Sequence, residues 1–160
     1  MKKGFTMIEL IFVIVILGVL ASVAIPRLAA TRDDAEVAKA ATNLTTAVSD
    51  ITAYYTAKGK FSNTSDFTKI TNALTKGGAL NVKGKTTCVQ VQLPANTGTS
   101  QQASGAVNLT LNFKKSADPV CKQLAKLPGI LTMCGTDTPN KSEVSDTCTI
   151  QIGGSGGIQF

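Results

Sequence analysis

Met1-Lys2-Lys3-Gly4-Phe5-Thr6-Met7-Ile8-Glu9 opens the chain, and a charge-free apolar run follows from Leu10 to Ile25, ended by Pro26-Arg27. The run is long enough to enter the hydrocarbon core of a bilayer, which is about 30 Å thick. Lys2 and Lys3 make a basic tip of the kind that stays on the cytoplasmic side. One carboxylate, Glu9, lies a turn or two inside that tip. A charge at such a depth is costly unless something neutralises it. A bare anchor gives no reason to carry that cost, so Glu9 is expected to have a partner.

Three readings compete for residues 1–26. A secretory signal peptide has a basic start, an apolar stretch and small residues before a cleavage site, and Ala21-Ser22-Val23-Ala24 imitates that site. Glu9 spoils the apolar stretch, however, and the apolar periodicity continues beyond Pro26. A plain membrane anchor fits the length and leaves Glu9 unexplained. The third reading comes from a resemblance set out below. Gly18 and Pro26 interrupt the apolar helix; proline removes a backbone donor and clashes one turn back, so a break is expected at these positions, with a kink or local melting near Ser22–Pro26. The alternative is that Pro26 only marks the end of the membrane part.

From Arg27 to Lys58 the chain reads as helix. Val37, Ala41, Leu44, Val48, Ile51 and Tyr55 alternate at spacings of four and three, which places them on one face. Asp33, Glu36, Lys39, Asn43 and Asp50 lie largely away from it, and Gly59 is a good stop. Joined to the N-terminal segment, the helix spans Thr6 to Lys58, roughly 80 Å at 1.5 Å per residue. Its first half is expected to protrude, and its second-half stripe to pack on a sheet.

Residues 60–85 read as a connection carrying a short helix with Phe67, Ile70 and Leu74 inward, closed by Gly77-Gly78. Thr87–Leu93 and Ala106–Phe113 alternate with period two and read as strands. The segment 94–105 between them is polar and reads as an exposed loop. Asp118-Pro119 opens a short helix as cap and first residue, with Val120, Leu124 and Leu127 inward and Pro128-Gly129 as its stop. Ile130–Cys134 is expected as a short strand, 135–146 as polar loop, Thr147–Ile152 as the last strand and Gly153–Gly157 as a flexible tail. The class is α+β: one long N-terminal helix, then an antiparallel sheet of three or four strands.

The 160 residues leave room for one small soluble domain beyond a membrane segment. Aromatics are only 5%, with no Trp and no His, so the core is modest and staples are expected. The four cysteines, Cys88, Cys121, Cys134 and Cys148, read as two disulfides formed in an oxidising compartment. Cys88–Cys121 with Cys134–Cys148 ties neighbouring elements; Cys88–Cys148 with Cys121–Cys134 stays open. A zinc site has no C-x-x-C pair and no His to support it. The net charge of +6 is scattered, which suits a solvated basic surface better than a focused nucleic-acid groove. With no His there is no Ser–His or Cys–His nucleophile pair, and no glycine-rich phosphate loop follows a strand. Enzymatic activity is not expected.

Gly4-Phe5-Thr6-Met7-Ile8-Glu9 and the apolar run resemble the N-terminus of the type IV pilin family, which includes the pseudopilins of type II secretion. Met7 stands where many members have Leu. The clear likeness covers about the first third of the chain, and the remaining layout is similar to the family's ladle shape. The resemblance implies a leader at 1–4, a transmembrane and assembly helix at 5–26, and a periplasmic or extracellular globular domain at 27–160. It implies that a prepilin peptidase cuts between Gly4 and Phe5 and methylates the amine of Phe5. Glu9 then pairs with the Phe5 amine of a neighbouring subunit, and an inner-membrane assembly platform extracts the helix into a filament. The filament is an extracellular pilus or a periplasmic pseudopilus, and a pilus that takes up DNA or adheres to surfaces is a further alternative. Major pseudopilins bind calcium in a C-terminal loop. Here Asp137, Asn140, Glu143 and Asp146 supply oxygen donors, but their spacing matches no compact calcium loop. A solvated loop with no cofactor is the plainer expectation.

Overall fold

The computed structural model describes residues 4–61, 66–94, 107–135 and 141–154. The tip 1–3, most of the polar connection expected at 94–105, residues 136–140 with Asp137 and Asn140, and the glycine-rich tail from 155 lie outside the described residues. The elements are α1 (Met7–Lys58), β1 (Ala79–Val82), β2 (Thr86–Gln92), β3 (Val107–Phe113), α2 (Pro119–Leu124), α3 (Pro128–Met133) and β4 (Thr147–Gly153). The chain divides into two compact units, Met1–Ala35 and Glu36–Phe160, and α1 contributes to both.

In the second unit, α1 packs against a four-stranded antiparallel sheet of order β1-β2-β3-β4, an α+β arrangement similar to that of pilins. The buried helical positions are Val37, Ala40, Leu44, Ala47 and Ile51. The stripe is therefore centred differently from the expected one. Val37, Leu44 and Ile51 are shared, but Ala40 and Ala47 are buried where Ala41 and Val48 were expected, and the latter two are half-buried flanks. Ala40 and Ala47 are 2% and 0% exposed, while the larger Val48 lies at the edge of the buried stripe. Facing them, Val89, Val91, Leu109 and Leu111 are essentially without solvent contact. In β3 the inward positions alternate with polar outward ones, as the pleat requires; in β2 the alternation is interrupted at Cys88, which is buried next to Val89 and bonded to Cys121 of α2.

Three local expectations are corrected. Ala79–Val82, read as connection, is strand β1, whose four residues are too few for period two to stand out beside Gly77-Gly78. Gly78 is the hinge into it. Its φ is 79°, and an added Cβ would lie 2.5 Å from the Phe67 ring and 2.8 Å from the Val91 carbonyl oxygen, so only glycine fits. The short helix expected from Ser65-Asp66 is a single 3-10 turn, Phe67–Lys69, capped by Asp66, although Phe67 and Leu74 are buried as foreseen. Finally, Ile130–Cys134 is not a strand. Pro128 does not stop a helix but opens α3, where proline's fixed φ suits the first position. The Ile130 and Leu131 N–H groups both donate to the Leu127 carbonyl at 3.0 Å, and Cys134 donates to Ile130 at 3.0 Å. Five apolar-rich residues do not separate the two periods.

Candidate functional site

In the first unit every large apolar side chain from Phe5 to Leu28 is exposed, from 43% at Ile16 to 91% at Phe5. Soluble surfaces do not carry a contiguous apolar area of this extent unless it is an interaction surface. α1 is also long and apolar enough to cross a membrane.

The polar exception is built at the helix start. Thr6 immediately precedes the first helical residue, and Glu9 is the third position of the helix. The Thr6 backbone N–H donates to Glu9 Oε2 at 2.8 Å, and the Thr6 hydroxyl donates to the same oxygen at 2.6 Å. This is the reciprocal half of a capping box, in which the acidic residue at the third position reaches back to the capping residue's N–H. It places a negative group where the helix dipole favours one. Glu9 thus has a local reason to exist, which the sequence reading missed. The signal was available, since Thr6-x-x-Glu9 is the capping-box spacing before an apolar run. A carboxylate accepts about four hydrogen bonds, and Oε1 makes none among the described residues. Phe5, adjacent to Thr6, is fully exposed, and an added Cβ at Gly4 meets nothing within 4 Å. The bond between Gly4 and Phe5 is open to approach.

α1 is helical through Gly18 and Pro26, which agrees with the expected Thr6–Lys58 span and not with a break at these two positions. Proline lacks the N–H that would bond to the Ser22 carbonyl, and the helix nevertheless runs on through it. The Ser22 hydroxyl folds back to the Val19 carbonyl at 2.7 Å, so this side chain also satisfies itself within the helix.

The cysteines form Cys88–Cys121, joining β2 to α2, and Cys134–Cys148, joining the end of α3 to β4. This is the pairing preferred from the sequence, on the ground that it ties neighbouring elements, over the rival Cys88–Cys148 with Cys121–Cys134. Two lysines add polar ties. The Lys83 N–H donates to Glu36 Oε2 at 3.3 Å and its ammonium to Asp118 Oδ1 at 3.3 Å, so the β1–β2 turn is held to both α1 and the cap of α2. The Lys115 ammonium donates to the Val144 carbonyl at 2.9 Å and pairs with Asp146 at 3.0 Å and Glu143 at 3.7 Å. Two of the four oxygen donors weighed for calcium are therefore gathered around an ammonium of the chain itself. No three metal-ligating side chains cluster among the described residues. The sequence reading did not single out either lysine, because their partners are 35, 47 and about 30 positions away along the chain.

Residues 1–25 match the family model described as the prokaryotic N-terminal methylation motif. No curated protein and no solved structure matches the chain. The motif is typical of type IV pilins and pseudopilins, which are generally non-enzymatic structural subunits. The chain thus carries this motif at the start of a helix that is long and apolar enough to cross a membrane.

Proposed function

We propose that this chain is a structural subunit of a type IV pilus-like filament, cut between Gly4 and Phe5 by a prepilin peptidase and assembled through its N-terminal helix. The observation that carries the proposal is the combination of an exposed apolar surface from Phe5 to Leu28 with the methylation motif over residues 1–25. Lipid covers that surface in the precursor. In the filament, the same surface is covered by identical helices, and burial of apolar area at roughly 25 cal/mol per Å² drives the packing.

Glu9 supplies the register. Within one chain its Oε2 is already taken by Thr6, which lowers the cost of holding the carboxylate in lipid. Oε1 is left for the Phe5 amine that cleavage creates on a neighbouring copy. A charge pair of this kind penalises every stagger except the one that brings amine and carboxylate together, the best-attested use of a buried charge. The two disulfides lie within the globular unit and suit a filament that leaves the cell.

Mass spectrometry of the protein isolated from cells tests the reading. The expected product begins at Phe5 and is one methyl group heavier than the unmodified fragment. Protein that still begins at Met1 would overturn it.

A further inference from the structure

The two edges of the sheet are built differently. β1 is four residues long, its pairing with β2 shifts between Leu80 and Asn81, and it runs into Lys83-Gly84-Lys85. Short length, a bulge and lysines are the devices that stop an edge from pairing with another chain. β4 is seven residues long and has neither charge nor proline. Its pairing with β3 is regular except beyond Asn108, and among the described residues no backbone group bonds to its outer edge.

The adjoining outward face is equally unusual. Asn112 stands opposite Thr147 and Thr110 opposite Thr149, with Asn108 opposite Gln151. All six are exposed or half-buried, and none is charged, in a chain of net charge +6. The proposed cleavage after Gly4 removes Lys2 and Lys3 and leaves 14 Lys+Arg against 10 Asp+Glu, and identical copies of this positive charge repel wherever their lysines approach within a Debye length, about 8 Å. A surface of hydroxyls and amides carries no such penalty and offers both donors and acceptors.

We propose that the β4 edge and this neutral face form the contact by which a second copy of the chain packs beside the first. The proposal rests on the filament reading. A second copy is the occupant because an unguarded edge is harmless only when covered in the working state, and a filament supplies a like-charged neighbour at every position. The contact is heterologous, since an edge that paired with its own equivalent would stop at a two-fold pair.

The test is a Thr149→Lys/Gln151→Lys double variant of the full chain, produced in cells lacking the wild-type copy, with Gln151→Lys alone and Asn81→Lys on the guarded β1 edge beside it. All three side chains are exposed, so the core is left intact. Sheared filament yield and the membrane pool are measured, with a thermal melt of the detergent-solubilised protein as the folding check. The double variant is expected to lower filament yield at least tenfold and Gln151→Lys at least threefold, with cleaved protein accumulating in the membrane. Asn81→Lys is expected to stay within twofold of wild type. Wild-type yield from Gln151→Lys and the double variant would overturn the proposal, as would an equal fall with Asn81→Lys. Loss of filaments from the wild-type chain itself would instead remove the filament reading.

Discussion

The two units of this chain use one helix in opposite ways. In the first unit the large apolar side chains from Phe5 to Leu28 are all exposed, and one carboxylate oxygen of Glu9 is taken by its own neighbour, Thr6, while the other is not taken among the described residues. In Glu36–Phe160 the helix turns an equally regular stripe inward, and Leu44, Ala47 and Ile51 lose all solvent contact. The second unit finds within the chain everything its apolar surface requires. The first does not, and in the filament reading proposed above lipid and then another copy cover it. Stability and assembly should therefore separate cleanly by mutation.

The largest expected effect is on assembly. Glu9→Val should abolish filaments while leaving the protein inserted and the melting temperature of the globular unit unchanged; filaments at wild-type yield would remove the register role. Within the second unit, loss of the Cys88–Cys121 bridge should cost most. It closes 33 residues against 14 for Cys134–Cys148, which the chain-entropy relation converts to about 3.7 and about 3 kcal/mol. Calorimetry of the two paired serine variants checks the order, and the reverse order would show that strain or residual structure dominates. Gly78→Ala should cost about 2 kcal/mol, from a left-handed backbone and a Cβ driven against Phe67 and Val91. Lys115→Met should cost about 1 kcal/mol, because two carboxylates and the Val144 carbonyl lose a half-exposed partner. Hydrogen exchange over 141–146 should rise in that variant while β2 and β3 stay protected.

The smallest effect concerns acid. The Val120 N–H holds the Asp118 carboxyl below the usual carboxylate range, against the opposing effect of burial and with help from Lys83. A group whose folded pKa is depressed stabilises fully above its unfolded value, near 3.9, and the contribution is lost as pH falls through the folded value. The difference in melting temperature between wild type and Asp118→Asn should accordingly be present at neutral pH and shrink below about pH 4. A pH-independent difference would mean that the cap acts through packing alone.

Much of this contrast was legible in the sequence, because the strong signals are periodic or punctuated. The 52-residue helix, strands β2, β3 and β4, and the Asp118-Pro119 start of α2 all carry patterns several residues long. What failed was short or long-range. β1 and α3 are four and six residues long, too brief for either period, and α3 was disguised by a proline that opens as readily as it closes. The stripe on α1 differs from the expected one at two places: Ala40 and Ala41 are the same residue type, so composition could not choose between them, and at 47 and 48 the larger Val48 carried the stronger apolar signal although Ala47 is the buried one. The overall span of the helix, expected from Thr6 to Lys58, agrees with α1, whereas the break weighed at Gly18 and Pro26 does not interrupt it. At the candidate site, Glu9 was found by its charge in an apolar setting, but its bond to Thr6 was overlooked although the spacing announces it.

Electron microscopy of surface filaments tests the central claim most directly, in cells producing this chain beside cells from which it is deleted. The account predicts helical filaments in the first strain only, built from protein that begins at Phe5, with the helices from Phe5 to Leu28 packed against one another at the centre. Protein confined to the membrane fraction as single copies, with no filament in either strain, would contradict it.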